Sequence, residues 1–264
     1  FAVKARGNTF AAMKGRASLS TASGRAVLDG QWRGDRDGPS LSGPVQLETL
    51  DAGALAAQFG WPLPANGEPV AASLAGALQW RPGALAVEEL TGVVAGNPVA
   101  GRLSAGETGL SGEIALDRLA LPDLLAFVLG PDARPQPGEV WSSRRLGDAP
   151  ALPEGALTLK VKRLAVTPAL ALADAPVRID IAPETLTLAI ADAGLEGGGR
   201  AQAEIVLRRL GAQVNLRGGV AVDRMPLSTL ARQPLAGDAT GKLGFRASAE
   251  SVAGLVANLA RRGG

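Results

Sequence analysis

Three acidic residues recur in one setting and are the first candidates for chemistry. Glu48, Asp117 and Asp223 each close a strand-like segment, each stand two positions before an apolar residue, and each precede a short helix-like stretch. A carboxylate so placed could serve as a general base, given a nucleophile or a basic partner beside it. The 264-residue sequence offers neither in the usual form, because it contains no His, no Cys and no Tyr. The expectation adopted for the three acids is helix-start stabilisation, by accepting hydrogen bonds from free N–H groups and opposing the helix dipole. The run Glu196-Gly197-Gly198-Gly199 suggests phosphate binding at first glance. It lacks a following Lys-Ser/Thr pair and precedes a strand rather than a helix, so a tight turn or bulge is expected. Ala95-Gly96-Asn97-Pro98 reads as another turn. No catalytic residue, cofactor ligand or metal ligand is expected, and the chain reads as non-enzymatic.

The elements around these positions are strands. Leu157-Thr158-Leu159-Lys160-Val161-Lys162 alternates apolar and polar residues, as do Val177–Ile181, Thr185–Ile190, Ala201–Ile205 and Gln213–Arg217. Successive side chains on a strand point to opposite faces, so each segment has one apolar and one wetted face. Turn clusters separate them, which predicts an antiparallel meander. The first half repeats the texture more weakly, from Ala17–Leu19 to Gly112–Leu116. Parity names the residues of the apolar face: Leu157, Leu159, Val161, Ile179, Ile181, Leu186, Leu188, Ile190 and Ile205. These line either a groove or the inside of a closed sandwich.

Composition favours an extended layer over a ball. Apolar residues make up 46% of the chain, aromatics only 3%, and 35 Gly and 18 Pro punctuate it. Trp32, Trp61, Trp80 and Trp141 all lie in the first half or just beyond it, as local core fillers or as an interfacial contact. The 27 basic and 25 acidic residues leave a net charge of +2. Basic residues are scattered, with pairs at Arg144-Arg145, Arg208-Arg209 and Arg261-Arg262. Without a concentrated basic patch and interleaved aromatics, nucleic acid is not an expected partner. The longest apolar run, 119–129, is too short to span a bilayer. The sequence reads as a segment of a longer protein, with any anchor or targeting signal outside it.

Three segments break the strand rule: Leu50–Phe59, Leu121–Leu129 and Pro226–Ala231. Pro122 and Pro226 stand where a first helical turn tolerates proline, and Gly60 and Gly130 where a helix ends. Several strands followed by one short helix form a unit that recurs unevenly, which predicts an elongated, stacked architecture. The stretch 131–153 holds five prolines and little periodicity, so it is expected to link a β-repeat region over 1–130 to a second one over 154–264. The expected fold is mainly β: an antiparallel meander forming a twisted groove or half-open sandwich, with a few short helices between repeat units.

The order of these segments resembles the AsmA family of Gram-negative envelope proteins. The resemblance rests on 152–259: the meander, then Ala193–Ala203 with its Gly run, then Val222-Asp223-Arg224-Met225-Pro226-Leu227, then Leu235–Leu243, and last a helix-like Val252–Leu259. TamB and the eukaryotic bridge-like lipid-transfer proteins are more distantly similar. The resemblance implies a β-groove accommodating phospholipid or other acyl chains, and a periplasmic body hung from an inner-membrane helix outside this sequence. It also implies a role in lipid transport and outer-membrane homeostasis. The alternative expectation is a scaffold whose edge strands pair with outer-membrane proteins during their assembly.

Overall fold

The computed structural model describes residues 2–9, 12–35, 38–54, 69–147, 153–227 and 236–262. The chain is mainly β, as its alternation predicts. Eight strands come first: β1 (Ala2–Thr9), β2 (Ala12–Ser20), β3 (Gly24–Asp35), β4 (Gly38–Thr49), β5 (Ala72–Arg81), β6 (Ala84–Val94), β7 (Asn97–Gly106) and β8 (Gly109–Ala120). Helix α1 (Leu121–Leu129) and a 3-10 turn (Pro131–Ala133) follow. Then come β9 (Gly155–Thr167), β10 (Leu170–Ala182), β11 (Thr185–Leu195), β12 (Arg200–Leu210), β13 (Gln213–Pro226), β14 (Asp238–Ala249) and helix α2 (Val252–Arg262). Strand order is chain order, so the sheet is an open meander. Pairing is antiparallel from β1 to β7 and from β9 to β14. Short turns make this possible. Ala95 and Gly96 both take positive φ, 50° and 74°, the geometry a two-residue hairpin turn requires. Gly199 is fixed by space as well as by its φ of 85°, since a Cβ there would lie 2.4 Å from the carbonyl oxygen of Arg224. The Glu196–Gly199 run is therefore the β11–β12 turn.

Two compact units divide the chain, Phe1–Leu63 with Glu68–Ala115, and Pro64–Gly67 with Leu116–Gly264. The division falls within β8, not in the Pro-rich stretch expected to be a linker. The reason is that 131–147 carries its own buried anchors. Ala133, Ser142 and Leu146 are almost wholly buried and belong to the second unit. Residues 148–152 of that stretch lie outside the described residues.

Helices α1 and α2 serve the second unit. In α1, Pro122 occupies the first turn and Gly130, at φ 97°, ends the helix, its N–H reaching the carbonyl of Ala126. Leu124 and Val128, four apart, share the buried face. In α2, the Ser251 hydroxyl accepts from the Gly254 N–H, and Val252 and Leu255 are buried. The helix expected at 50–59 is described only over 52–54, and Gly60 and 228–231 lie outside the described residues.

The acidic residues expected to start these helices do something else. Asp117 lies within β8 and forms an ion pair with Lys162 of β9 at 2.6 Å. Asp223 lies within β13, beside Arg224, and accepts from the Thr240 hydroxyl. Glu48 lies within β4. Helix α1 begins on Ala120, which cannot cap with its side chain. The acid that caps is Asp51, whose Oδ1 accepts from the N–H groups of Gly53 and Ala54. Strand pairing set the fate of Asp117 and Asp223, because each ends up opposite a basic or hydroxyl side chain on a neighbouring strand.

Candidate functional site

Strand register assembles the apolar face of the second unit into rows. One row runs Leu157–Ile179–Leu188–Ile205–Gly218–Phe245 across β9 to β14. The next runs Leu159–Val177–Ile190–Ala203–Val220–Leu243, and another Gly155–Ile181–Leu186–Leu207–Leu216–Ala247. Val161 pairs with Ala175 one step beyond. All nine residues named by parity thus lie on one face, in direct cross-strand contact range.

Most of that face is not open. Val161, Ile179, Ile181, Leu186 and Leu188 are buried, and Leu157, Leu159, Ile190 and Ile205 pack against the same cluster half-buried. Protein covers them: Leu124, Val128 and Leu129 of α1, Leu146 of the Pro-rich stretch, and Val252 and Leu255 of α2 join the cluster. The cover is tied down by backbone hydrogen bonds. The Leu146 N–H donates to the Glu250 carbonyl, and the Ala253 N–H to the Ser142 carbonyl, each at 2.8 Å. Trp141 packs on the same cluster. Parity did not mark Leu146 or the α1 residues as part of this face. The α1 spacing carried a signal, whereas Leu146 sits in aperiodic sequence and carried none.

The first unit has the same rows without such burial. Leu19–Ala26–Leu47–Leu74–Gly92–Val99 forms one, and Trp32–Leu41–Trp80–Leu85–Ala105 another. Trp32 and Trp80 stack with ring centroids 6.3 Å apart. Of the first unit's described residues, only Val27, Thr49, Ala72 and Val99 are buried. Leu28, Leu41, Val45, Leu47, Leu74 and Leu78 stay half-buried. Trp61 lies outside the described residues.

The opposite face is charged and largely self-paired. Arg163 meets Glu196 at 2.6 Å, Arg178 meets Asp180 at 2.8 Å, and Arg208 meets Glu184 at 3.1 Å. The hydrogen bond that Lys162 donates to the Asp117 carboxylate, and then that carboxylate's charge, raise the Lys162 pKa. Arg200 lowers that of Asp192 in the same way. Among the described residues no group of three or more Asp or Glu side chains could hold a metal ion. No described helix is long and apolar enough to cross a membrane. No family model, curated protein or solved structure matches the chain.

Proposed function

We propose that this chain is a non-catalytic cell-envelope module that holds phospholipid acyl chains against the apolar face of its sheet. The observation that carries the reading is the set of half-buried aliphatic rows in the first unit, held in register across β2 to β7. An acyl chain needs no directional partner there, since burial gains about 25 cal/mol per Å² of apolar area whatever the exact pose. In the second unit α1 and Leu146 already occupy most of the equivalent face. Cargo there is restricted to the half-buried residues Leu157, Leu159, Ile190 and Ile205, or requires the cover to move. The resemblance to the AsmA family supports a periplasmic, inner-membrane-anchored setting and a role in lipid transport and outer-membrane homeostasis.

The test is native mass spectrometry of the purified chain, with extraction of co-purified lipid and uptake of a fluorescent phospholipid. Bound lipid is expected, and Leu47→Asp with Leu74→Asp is expected to abolish uptake in a still-folded chain. Lipid-free protein that takes up no probe would sink the reading.

A second reading, strand-pairing assistance to outer-membrane protein assembly, is favoured by one observation: β14 pairs with β13 and ends the strand order, so that among the described residues no strand pairs with its other edge. Crosslinkers placed along β14 separate the two. Protein adducts there favour the scaffold, and lipid adducts along the first unit's rows favour the acyl-chain module.

A further inference from the structure

Charged side chains on the polar face of the second unit are mostly matched, as the Arg163–Glu196, Arg178–Asp180 and Lys162–Asp117 pairs show. Arg217 and Arg246 break the pattern. They stand directly opposite each other in the β13–β14 register, and both are exposed. Neither forms an ion pair or side-chain hydrogen bond with a described residue. Like charges directly opposite on a sheet repel, so this arrangement costs the fold stability.

The surface is hollowed where they meet. A cavity of about 810 Å³ is lined by Arg208, Arg217, Arg246, Asn215, Ser248 and Asn258, among others. Register explains the grouping: Arg208, Asn215 and Ser248 form one cross-strand row, and Arg217 and Arg246 belong to the next. The Ser248 hydroxyl accepts from the Gln213 amide at 2.9 Å, which leaves its own hydrogen to donate. One carboxylate, Glu184, also lines the cavity, and Arg208 engages it at 3.1 Å.

We propose that this hollow binds a phosphate-bearing anion, gripped by the guanidinium groups of Arg217 and Arg246. Guanidinium forks match phosphate oxygens two at a time, and an anion between them turns their mutual repulsion into shared attraction. Arg208, Asn215 and Ser248 add donors around it. Arg217 and Arg246 alternate with the residues of the apolar rows along β13 and β14, and the proposal goes beyond the acyl-chain reading. A phospholipid headgroup and a free phosphate ester present the same chemistry.

Two probes separate those sources on the full 264-residue chain: inorganic pyrophosphate by calorimetry, and phosphatidylcholine vesicles with or without a third of phosphatidylglycerol by co-sedimentation. Binding is expected to weaken about tenfold or more in R217Q/R246Q and to stay within about twofold in R163Q, whose arginine is paired elsewhere. Pyrophosphate binding that the double variant loses supports the site and assigns a soluble phosphate ester. Phosphatidylglycerol-dependent sedimentation that it loses, without pyrophosphate binding, supports the site and assigns a headgroup. Binding by neither probe, or equal binding by wild type and a double variant of unchanged circular dichroism, overturns it. Fluorescent fatty-acid uptake run on the same variants is expected to be unchanged, so failure of the acyl-chain reading shows in that assay alone.

Discussion

The guanidinium of Arg209, on β12, donates to the carbonyl oxygen of Leu129, the last residue of α1, at 2.6 Å. It donates also to the Gly147 carbonyl and to Gly211. One side chain thus satisfies carbonyls on α1, on the Pro-rich stretch and on the β12–β13 turn. It supplies the cation that the last turn of α1 lacks.

Arg209→Ala is therefore expected to lower unfolding stability by about 2 kcal/mol, the scale of a charge-assisted hydrogen bond left unmade. Arg209→Lys should recover only part of it, because an ammonium cannot reach several carbonyls from one planar fork. Urea denaturation measures the loss. Hydrogen exchange should place it first in α1 and 131–147; uniform loss across β9 to β14 would contradict a latch.

Burial along the aliphatic rows makes a sharper contrast. Ile179 is 1% exposed in the middle of its row, while Leu243, at the β14 end of the neighbouring row, is 61% exposed. Ile179→Ala is expected to cost about 2–5 kcal/mol, since it removes packed methyl groups and leaves a cavity. Leu243→Ala should stay within about 0.5 kcal/mol, as surface changes do. Denaturant midpoints compare the two directly.

Strand existence and facing were legible in the sequence wherever alternation ran unbroken, which is why all nine parity residues share one face. Legibility failed at bulges. In β11 the buried residues are Leu186 and Leu188, then Ala193 and Leu195, because the register with β12 shifts between Ile190 and Ala193. One extra residue reverses parity, and nothing in that stretch announces it. The cover was illegible for a different reason. Whether a one-sided sheet is open depends on what packs on it, and the buried Leu146 sits in a stretch with no period to read. The recurring acids misled because a carboxylate near a strand end suits a cap or a cross-strand pair equally well.

Acid sensitivity follows from Asp192. Arg200 hydrogen-bonds it and, by its charge too, holds its pKa below the ordinary carboxylate value. A depressed folded pKa contributes stability above the unfolded pKa and loses it as pH falls through the folded one. From about pH 7 to about pH 3 the wild type should therefore lose more stability than Asp192→Asn, and the two should converge at the acid end. The pair is exposed, so the difference should be small and shrink in high salt. Urea midpoints against pH at two salt concentrations check it; parallel curves would show that the pair contributes nothing.

Glu89 offers a test of what a bulge costs. Its φ of 53° is left-handed in the middle of β6, and the register shifts on both sides of it, between Ala75 and Ala77 of β5 and between Val87 and Leu90 of β6. A left-handed conformation costs a residue with a Cβ about 1–2 kcal/mol, whereas glycine adopts it freely and loses part of that gain to its larger unfolded-state entropy. Glu89→Gly is accordingly expected to raise stability by about 0.5–1 kcal/mol, by relief of backbone strain rather than by a new contact. Glu89→Ala keeps the Cβ and should gain none of this. If alanine stabilises as much as glycine in chemical denaturation, the effect belongs to the lost carboxylate and the bulge carries no strain.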